Sequence, residues 1–306
     1  MKKVVAIICG KNPNAKSIQS EIKNHFALDF DLKCVITQKG TTQSIAANAA
    51  AEGVDIILSV GGDGTTNEII NGIIMENVDI SKLPSLVVIP FGTGNDLART
   101  INAGKNYDLI IDKIKKDDFT IIDVAKITYQ SYNNLTESRY FINTADIGFG
   151  PMVITKVEKQ NIKWPGKIAY ILAATSIFTF QNDINITLEA DEYKYEGPIY
   201  EVCITNGKYF GGGFGVSPYA IVDDEVLDLV VVKKFSMFNF LEQFKKLRKG
   251  QPIMADQVTY RKITQCSIIS NKSKQIPFEI DGELLGTTPI DIKIVPSSVK
   301  IFVNTK

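Results

Sequence analysis

Residues 54–73 read VDIILSVGGDGTTNEIINGI, and this stretch decides the fold. The residues up to Val60 are apolar enough for a strand buried on both faces. Two glycines (Gly61, Gly62), Asp63, Gly64 and Thr65 follow, and a helical pattern then carries Ile69, Ile70 and Ile73. A strand that runs through glycines straight into a helix gathers free N–H groups and the positive end of a helix dipole at one spot, which suits a phosphate. Asp63 then stands at the carboxyl end of a strand, where open α/β sheets bind ligands. A carboxylate beside a polyphosphate must hold Mg²⁺ or take a proton, because like charges otherwise repel. The plainer alternative is a tight turn with Asp63 exposed, but such a turn does not call for three glycines and an acid.

The same alternation extends to both sides. Lys3–Cys9, Leu32–Thr37, Asp55–Val60 and Leu86–Pro90 read as strands, and Ala15–Phe26, Thr41–Glu52 and Thr66–Met75 as helices. Strands alternating with helices predict a three-layer α/β unit with a mostly parallel sheet. After Leu86–Ile89 comes PFGTGNDLAR (residues 90–99), where Gly92 and Gly94 open the backbone, Thr93 offers a hydroxyl and Asn95–Asp96 are placed to cap a helix Leu97–Ile101. Two glycine-threonine loops at one end of one sheet predict a nucleotide crevice. GKNPNAKS (residues 10–17) lacks the second glycine of a P-loop, since Ala15 stands there, so Asn12-Pro13 reads as a turn lining that crevice.

Past residue 126 the pattern becomes short strands separated by Gly, Pro, Asn and Asp: Tyr140–Thr144, Ile184–Ala190, Tyr200–Thr205, Leu227–Val232, Ser267–Ser270, Phe278–Ile280 and Val299–Val303. This predicts a β-rich sandwich over residues 127–306, after an α/β unit over 1–126. Asp281-Gly282 is a favoured hairpin turn, and Glu283 beyond it is either a strand residue or a base facing the cleft. NGKYFGGGFGVSP (206–218) is too rich in glycine for a simple hairpin and reads as a rim. Lys167–Phe180, behind Trp164-Pro165-Gly166, is nearly apolar all round, a core helix or a lipid contact. The basic run Glu242–Lys249 faces solvent or anionic lipid.

The bulk numbers exclude more than they assign. The 306 residues suit two domains, and Lys plus Arg equals Asp plus Glu at 34 each, so no basic excess points to nucleic acid. A single histidine, His25, and four scattered cysteines (Cys9, Cys34, Cys203, Cys266) argue against a histidine triad, a histidine metal centre or a disulfide framework. No apolar run reaches the roughly 20 residues of a spanning helix, and the short run at the N-terminus reads as a buried strand, so a cytoplasmic protein is expected.

GGDGTTNEIING, PFGTGNDLAR, INTADIGFG, NGKYFGGG, SPYAIVDDE and EIDGE, in this order, resemble the bacterial diacylglycerol kinase and sphingosine kinase-type lipid kinases, whose first domain is similar to NAD kinase and phosphofructokinase. The resemblance implies ATP contacts from Asn12, Pro13, Thr37, Gly61, Gly62, Asp63, Gly64, Thr65, Thr66, Asn67, Glu68 and Thr93. It implies Glu283 as the base for a lipid hydroxyl, with Asp63 orienting Mg²⁺ and phosphates. It also implies a structural Mg²⁺ on Asp224 with the carbonyls of Ile221 and Val226. Two positions depart from the family pattern: Lys16 replaces a glycine of the first turn, and Glu225 a glycine of the metal loop. The expected activity is transfer of the γ-phosphoryl group of ATP to diacylglycerol, at the inner membrane surface by reversible contact, with a homodimer left open. An NAD kinase-like transfer and a silent lipid-binding module are the rivals.

Overall fold

The computed structural model describes residues 1–74, 79–133, 135–159, 184–233, 246–247, 250–251, 256–271 and 275–303. The apolar stretch 164–180 lies outside the described residues, as does the basic run 242–249 apart from 246 and 247. The first half runs β1 (Lys3–Ile8), α1 (Ala15–Phe26), β2 (Asp31–Ile36), α2 (Thr42–Ala51), β3 (Ile56–Gly61), α3 (Asp63–Ile73), β4 (Ser85–Pro90), α4 (Asp96–Thr100) and α5 (Tyr107–Lys116). Then come β5 (Thr120–Ser131), β6 (Thr136–Phe141), β7 (Thr144–Gly148), α6 (Phe149–Lys159), β8 (Ile184–Ala190) and β9 (Tyr193–Thr205). The chain continues with β10 (Leu227–Lys233), β11 (Val258–Ile263), β12 (Gln265–Ser270), β13 (Pro277–Ile280) and β14 (Glu283–Ile301).

Strands β2, β1, β3 and β4 pair in that order, all parallel. Their side chains alternate between two cores, as a pleated strand requires. Val4, Ala6, Ile8 and Leu58 meet Ile18, Ile22 and Phe26 of α1 and Ile110 and Ile114 of α5. Val5, Ile7 and Ile57 face Ala46 of α2, Ile69, Ile70 and Ile73 of α3, and Leu97 of α4. The residues spaced four apart on α1 are the ones that are buried, so its amphipathic pattern sets its orientation.

The sheet does not stop at β4. It runs on through β14 into a single 14-stranded network, so the molecule is dominated by sheet. In the β-rich half, β7, β13, β14, β12, β8 and β9 close a circuit of antiparallel pairings around one large core. Long strands make this closure possible: β9 has 13 residues and β14 has 19, and each pairs with partners on both sides of a bend. Residue 126 falls inside β5, which pairs along most of β14. The end of the chain returns to the first unit, where Ile301 pairs with Leu86 and Phe302 is buried against α1 and α5.

The segment Tyr140–Thr144, expected as one strand, is split between β6 and β7. The backbone N–H groups of Ile142 and Asn143 leave the ladder there and donate to the Asp281 carboxylate. The polar stretch after Ser131 is the tight connection of the β5–β6 hairpin.

Helices α2 and α3 cross closely at Gly72, where an added Cβ would lie 2.3 Å from the Gln43 carbonyl oxygen and 2.8 Å from Ala46 Cβ. Helix propensity alone makes Gly72→Ala stabilising by about 1 kcal/mol. The crossing reverses the sign: we expect a loss of about 1–3 kcal/mol, read by urea denaturation, as overpacking predicts.

Candidate active site

The two glycine loops meet back to back. A Cβ on Gly92 would fall 2.3 Å from Gly62 Cα, so neither loop tolerates a side chain at the contact. Asp63 opens α3 and accepts a hydrogen bond from Leu97 N at 3.0 Å, so the acid of the first loop caps the helix of the second. Asn95 was expected to cap α4. Instead it sits in the left-handed region (φ 54°) and its amide closes the loop, donating to the Gly92 carbonyl at 2.7 Å and accepting from Gly92 N at 2.9 Å. Thr93 is exposed at the loop tip.

The N-terminal turn joins the same place. Asn12 Nδ2 donates to the Phe91 carbonyl at 3.2 Å, and Gly10 N donates to the Thr37 hydroxyl at 3.2 Å. Asn12, Thr37 and the loop after β4 therefore line one crevice with Gly61–Thr65. Thr66 and Asn67 turn inward: the Thr66 hydroxyl is 2.8 Å from the Ser59 hydroxyl, and both Thr66 and Asn67 are buried. Glu68 is half-buried on α3. His25 is exposed and stacks on Tyr107, away from the crevice.

Asn67 ties α3 to the β-rich half. Its Nδ2 donates to Asp281 Oδ2 at 2.8 Å and to the Tyr140 carbonyl at 2.9 Å, while Asn71 one turn later exchanges bonds with the Tyr140 backbone. Asp281 also accepts from the backbone N–H groups of Ile142, Asn143 and Thr144 at 2.9–3.1 Å. Asp281 (φ 47°) and Gly282 (φ 87°) form the turn between β13 and β14, as the Asp-Gly pair predicts, and the aspartate doubles as a hub. Burial outweighs these donors and lifts its carboxyl to about 6, with the Asp63 charge adding to the rise. Glu283, on the outer side of the turn, stays 46% exposed and lies 3.5 Å from the Arg139 guanidinium, which also donates to Asn67 Oδ1.

The glycine-rich rim is bound to the second loop through a residue the sequence offered only as a cap. Asp96 is buried and accepts from Gly212 N at 2.7 Å while pairing with Arg99 at 3.0 Å. Gly94 lies between two acids: a Cβ there would be 2.9 Å from Asp63 Oδ2 and 3.5 Å from Asp96 Oδ2. Burial, and then the nearby Asp63 charge, raise the Asp96 pKa against the bonds from the rim.

A chain with this glycine crevice and an acid at a helix start matches known families. Residues 7–127 match the diacylglycerol kinase catalytic domain family, and residues 144–303 match the YegS C-terminal NAD kinase beta sandwich-like domain, which spans more than half of the chain. The chain belongs to the diacylglycerol kinase and YegS-like lipid kinase family. It is 28% identical over 254 residues to the diacylglycerol kinase of Bacillus subtilis, covering 83% of this chain and 79% of that protein. It is 26% identical over 309 residues to a YegS-like lipid kinase of Yersinia enterocolitica, covering 98% and 96%. The solved structure of a diacylglycerol kinase from Bacillus anthracis shares the fold, with a TM-score of 0.72 at 23% identity over 99% of this chain and 97% of that one. The resemblance read from the six motifs is thus borne out, and this lipid kinase relative is a phosphotransferase.

Within this lipid kinase fold, the loop around Asp224 also meets a lysine. Asp224 Oδ2 is 2.6 Å from Lys262 Nζ, which also reaches Asp228 at 3.4 Å. Although partial burial works against its charge, the two carboxylates raise the Lys262 pKa above its usual value. An ammonium already meets the Asp224 charge, and a divalent cation held there with the carbonyls of Ile221 and Val226 would lie against it. Lys262 meets only Oδ2, and Asp224 Oδ1 is buried with no hydrogen-bond partner among the described residues, so one carboxylate oxygen stays free for the Mg²⁺ that the resemblance implies. Glu225, where the motif expects glycine, adopts φ 61° and donates its N–H to buried Asp123 at 2.8 Å, so the turn forms without the glycine.

Asp281→Asn places an NH₂ group where donors converge. It should lower folding stability by about 1–3 kcal/mol, the cost of unsatisfied buried groups, as read by chemical denaturation. If Asp281 were only a turn residue, asparagine would be silent there.

Proposed function

We propose that the chain transfers the γ-phosphoryl group of ATP to a lipid hydroxyl, with diacylglycerol as acceptor and phosphatidic acid as product. One observation carries this reading: α3 presents Asp63 at the glycine crevice and, one turn on, binds through Asn67 to the turn that presents Glu283. Residues 1–126 hold the nucleotide and 127–306 the lipid. The N–H groups of the two glycine loops and the N-terminus of α3 receive the phosphates, with Asn12, Pro13, Thr37, Thr65 and Thr93 around them. Asp63 fits a Mg²⁺ that accompanies ATP, since it is half-buried among phosphate-facing backbone; when bound, the ion would neutralise phosphate charge. Glu283 accepts the proton of the acceptor hydroxyl, and Arg139 restrains its carboxylate. Positioning and charge neutralisation then supply most of the rate, as expected for phosphoryl transfer. Contact with lipid is reversible and made at the membrane surface; among the described residues no helix is long and apolar enough to cross a membrane.

The second unit is of an NAD kinase sandwich-like type, which keeps NAD as a competing acceptor. Parallel assays with labelled ATP and either diacylglycerol vesicles or NAD decide between them, and label in NAD alone would overturn the lipid reading. Glu283→Gln should cut turnover by about 10²–10⁴-fold, the usual worth of a general base, with nucleotide affinity near wild type. Asp63→Asn should abolish transfer with little loss of folding stability, because the amide oxygen can still cap Leu97. A mild Glu283→Gln effect would move the base assignment to Asp63.

A further inference from the structure

Arg139 on β6 stands where the two halves of the site meet, and most of its donors are unused. Its two hydrogen bonds both leave from Nη2, at 3.2 Å to Asn67 Oδ1 and at 3.5 Å to Glu283 Oε2. A guanidinium carries five N–H donors. Nε is buried without an acceptor among the described residues, and no bond or ion pair among them draws on Nη1. Folded chains rarely leave a buried donor unpaired, so the group calls for an explanation. Glu137 shares a face of β6 with Arg139, yet it accepts from the Tyr129 hydroxyl at 3.2 Å and forms no ion pair with the arginine. The positive charge is therefore met only by a long contact with the half-exposed Glu283 carboxylate.

The place of this cation matters for the proposed phosphoryl transfer, on which the inference rests. Asp63 opens α3 at the crevice, and Asn67 lies four residues on, about 6 Å along the axis. Arg139 thus touches the base on one side and stands about one helical turn from Asp63 on the other. The phosphoryl group has to pass between those two points. In the transfer, the bond from the γ-phosphorus to the bridging oxygen of ADP breaks and a bond from that phosphorus to the lipid oxygen forms. The hydroxyl proton goes to Glu283. Negative charge meanwhile spreads over the three equatorial oxygens of the phosphoryl group.

Two other cations near the crevice are engaged elsewhere. Arg99 donates to the Gly94 carbonyl and to Asp96, and Lys105 lies 3.4 Å from the centre of the Phe91 ring. Arg139 has donors to spare, and its side chain is 21% exposed, so a ligand can reach it. A fixed guanidinium matches the geometry of phosphate oxygens and needs no rearrangement as charge develops. We propose that Arg139 is a further catalytic residue, whose unused N–H groups bind equatorial oxygens of the phosphoryl group during transfer while Nη2 holds Glu283.

The test uses the whole chain with diacylglycerol in mixed micelles. It compares affinity for ADP alone with affinity for ADP plus aluminium fluoride, which stands in for the phosphoryl group in transit. Arg139→Ala should leave ADP affinity near wild type. It should weaken binding of ADP with aluminium fluoride by about 10²–10³-fold and lower turnover to match, the usual worth of a donor aimed at developing charge. Arg139→Lys keeps the charge and loses the fork, so it should fall between the two, and it decides the matter if the alanine variant does not fold. Added guanidinium should restore part of the turnover lost in Arg139→Ala. Lost turnover with unchanged aluminium fluoride affinity would overturn the proposal and leave Arg139 as a restraint on Glu283. Equal loss of both affinities would overturn it too, as the mark of a merely structural residue. Failure of the proposed function looks different: the wild-type chain then transfers nothing to diacylglycerol, and the role of Arg139 falls with it.

Discussion

The carboxylate of Asp281 is the point at which both halves of the molecule are joined. It takes four donors, three from the backbone between β6 and β7 and one from Asn67 of α3, whose partner is 214 residues away in the chain. Charged acceptors make stronger bonds than neutral ones, and they make them directionally. Three consecutive N–H groups turned onto one carboxylate explain why the chain leaves its ladder at Ile142 and re-enters another at Thr144. The same carboxylate fixes α3, and α3 carries the glycine crevice at its N-terminus. Removing the charge would therefore loosen strand order and crevice together.

From α3 the coupling continues through acids that cap or bridge loops. Asp63 caps α4, Asp96 of α4 binds Gly212, and Gly94 between them has no room for a methyl group. The crevice is thus assembled from three separate loops held by backbone N–H groups pointing at carboxylates. Such a site is stiff where the phosphates are expected and is anchored to the rim. Two buried or half-buried acids this close repel, and the repulsion is relieved by any positive charge that arrives with a ligand.

The first four strands and three helices were legible because their signals are local: apolar runs, residues four apart, and glycines at strand ends. The Asp-Gly turn was legible for the same reason. β14 was not, because Gly286, Pro289 and Pro296 punctuate it and read as breaks. The structure places register shifts at Thr287/Ile290 and Val295/Val299, so both prolines fall where the ladder is already interrupted. α5 carried a readable pattern, with Ile110, Ile111 and Ile114 on one face and Asn106 accepting from Leu109 N, but lay between stronger motifs. The roles of Asn67, Asp96, Arg139 and Lys262 were beyond reach, since each depends on a partner far away in sequence. Asn67 belongs to the most recognisable motif in the chain, yet its side chain serves the junction between the halves.

On the proposed function, Asp281 and Glu283 divide two tasks of the same chemical group across one turn. Asp281 points inward, where three backbone N–H groups and the Asn67 amide meet its oxygens, so its carboxylate is committed to the fold. Glu283 pairs with Ile280 across the turn and faces the solvent side, with only a long contact to Arg139. A proton acceptor must keep a lone pair free for its substrate, and a carboxylate saturated with donors cannot. The hairpin therefore needs its first acid buried so that the second is held still while remaining unoccupied. The left-handed geometry of Asp281-Gly282 enforces that division, because it turns consecutive side chains to opposite sides of the junction.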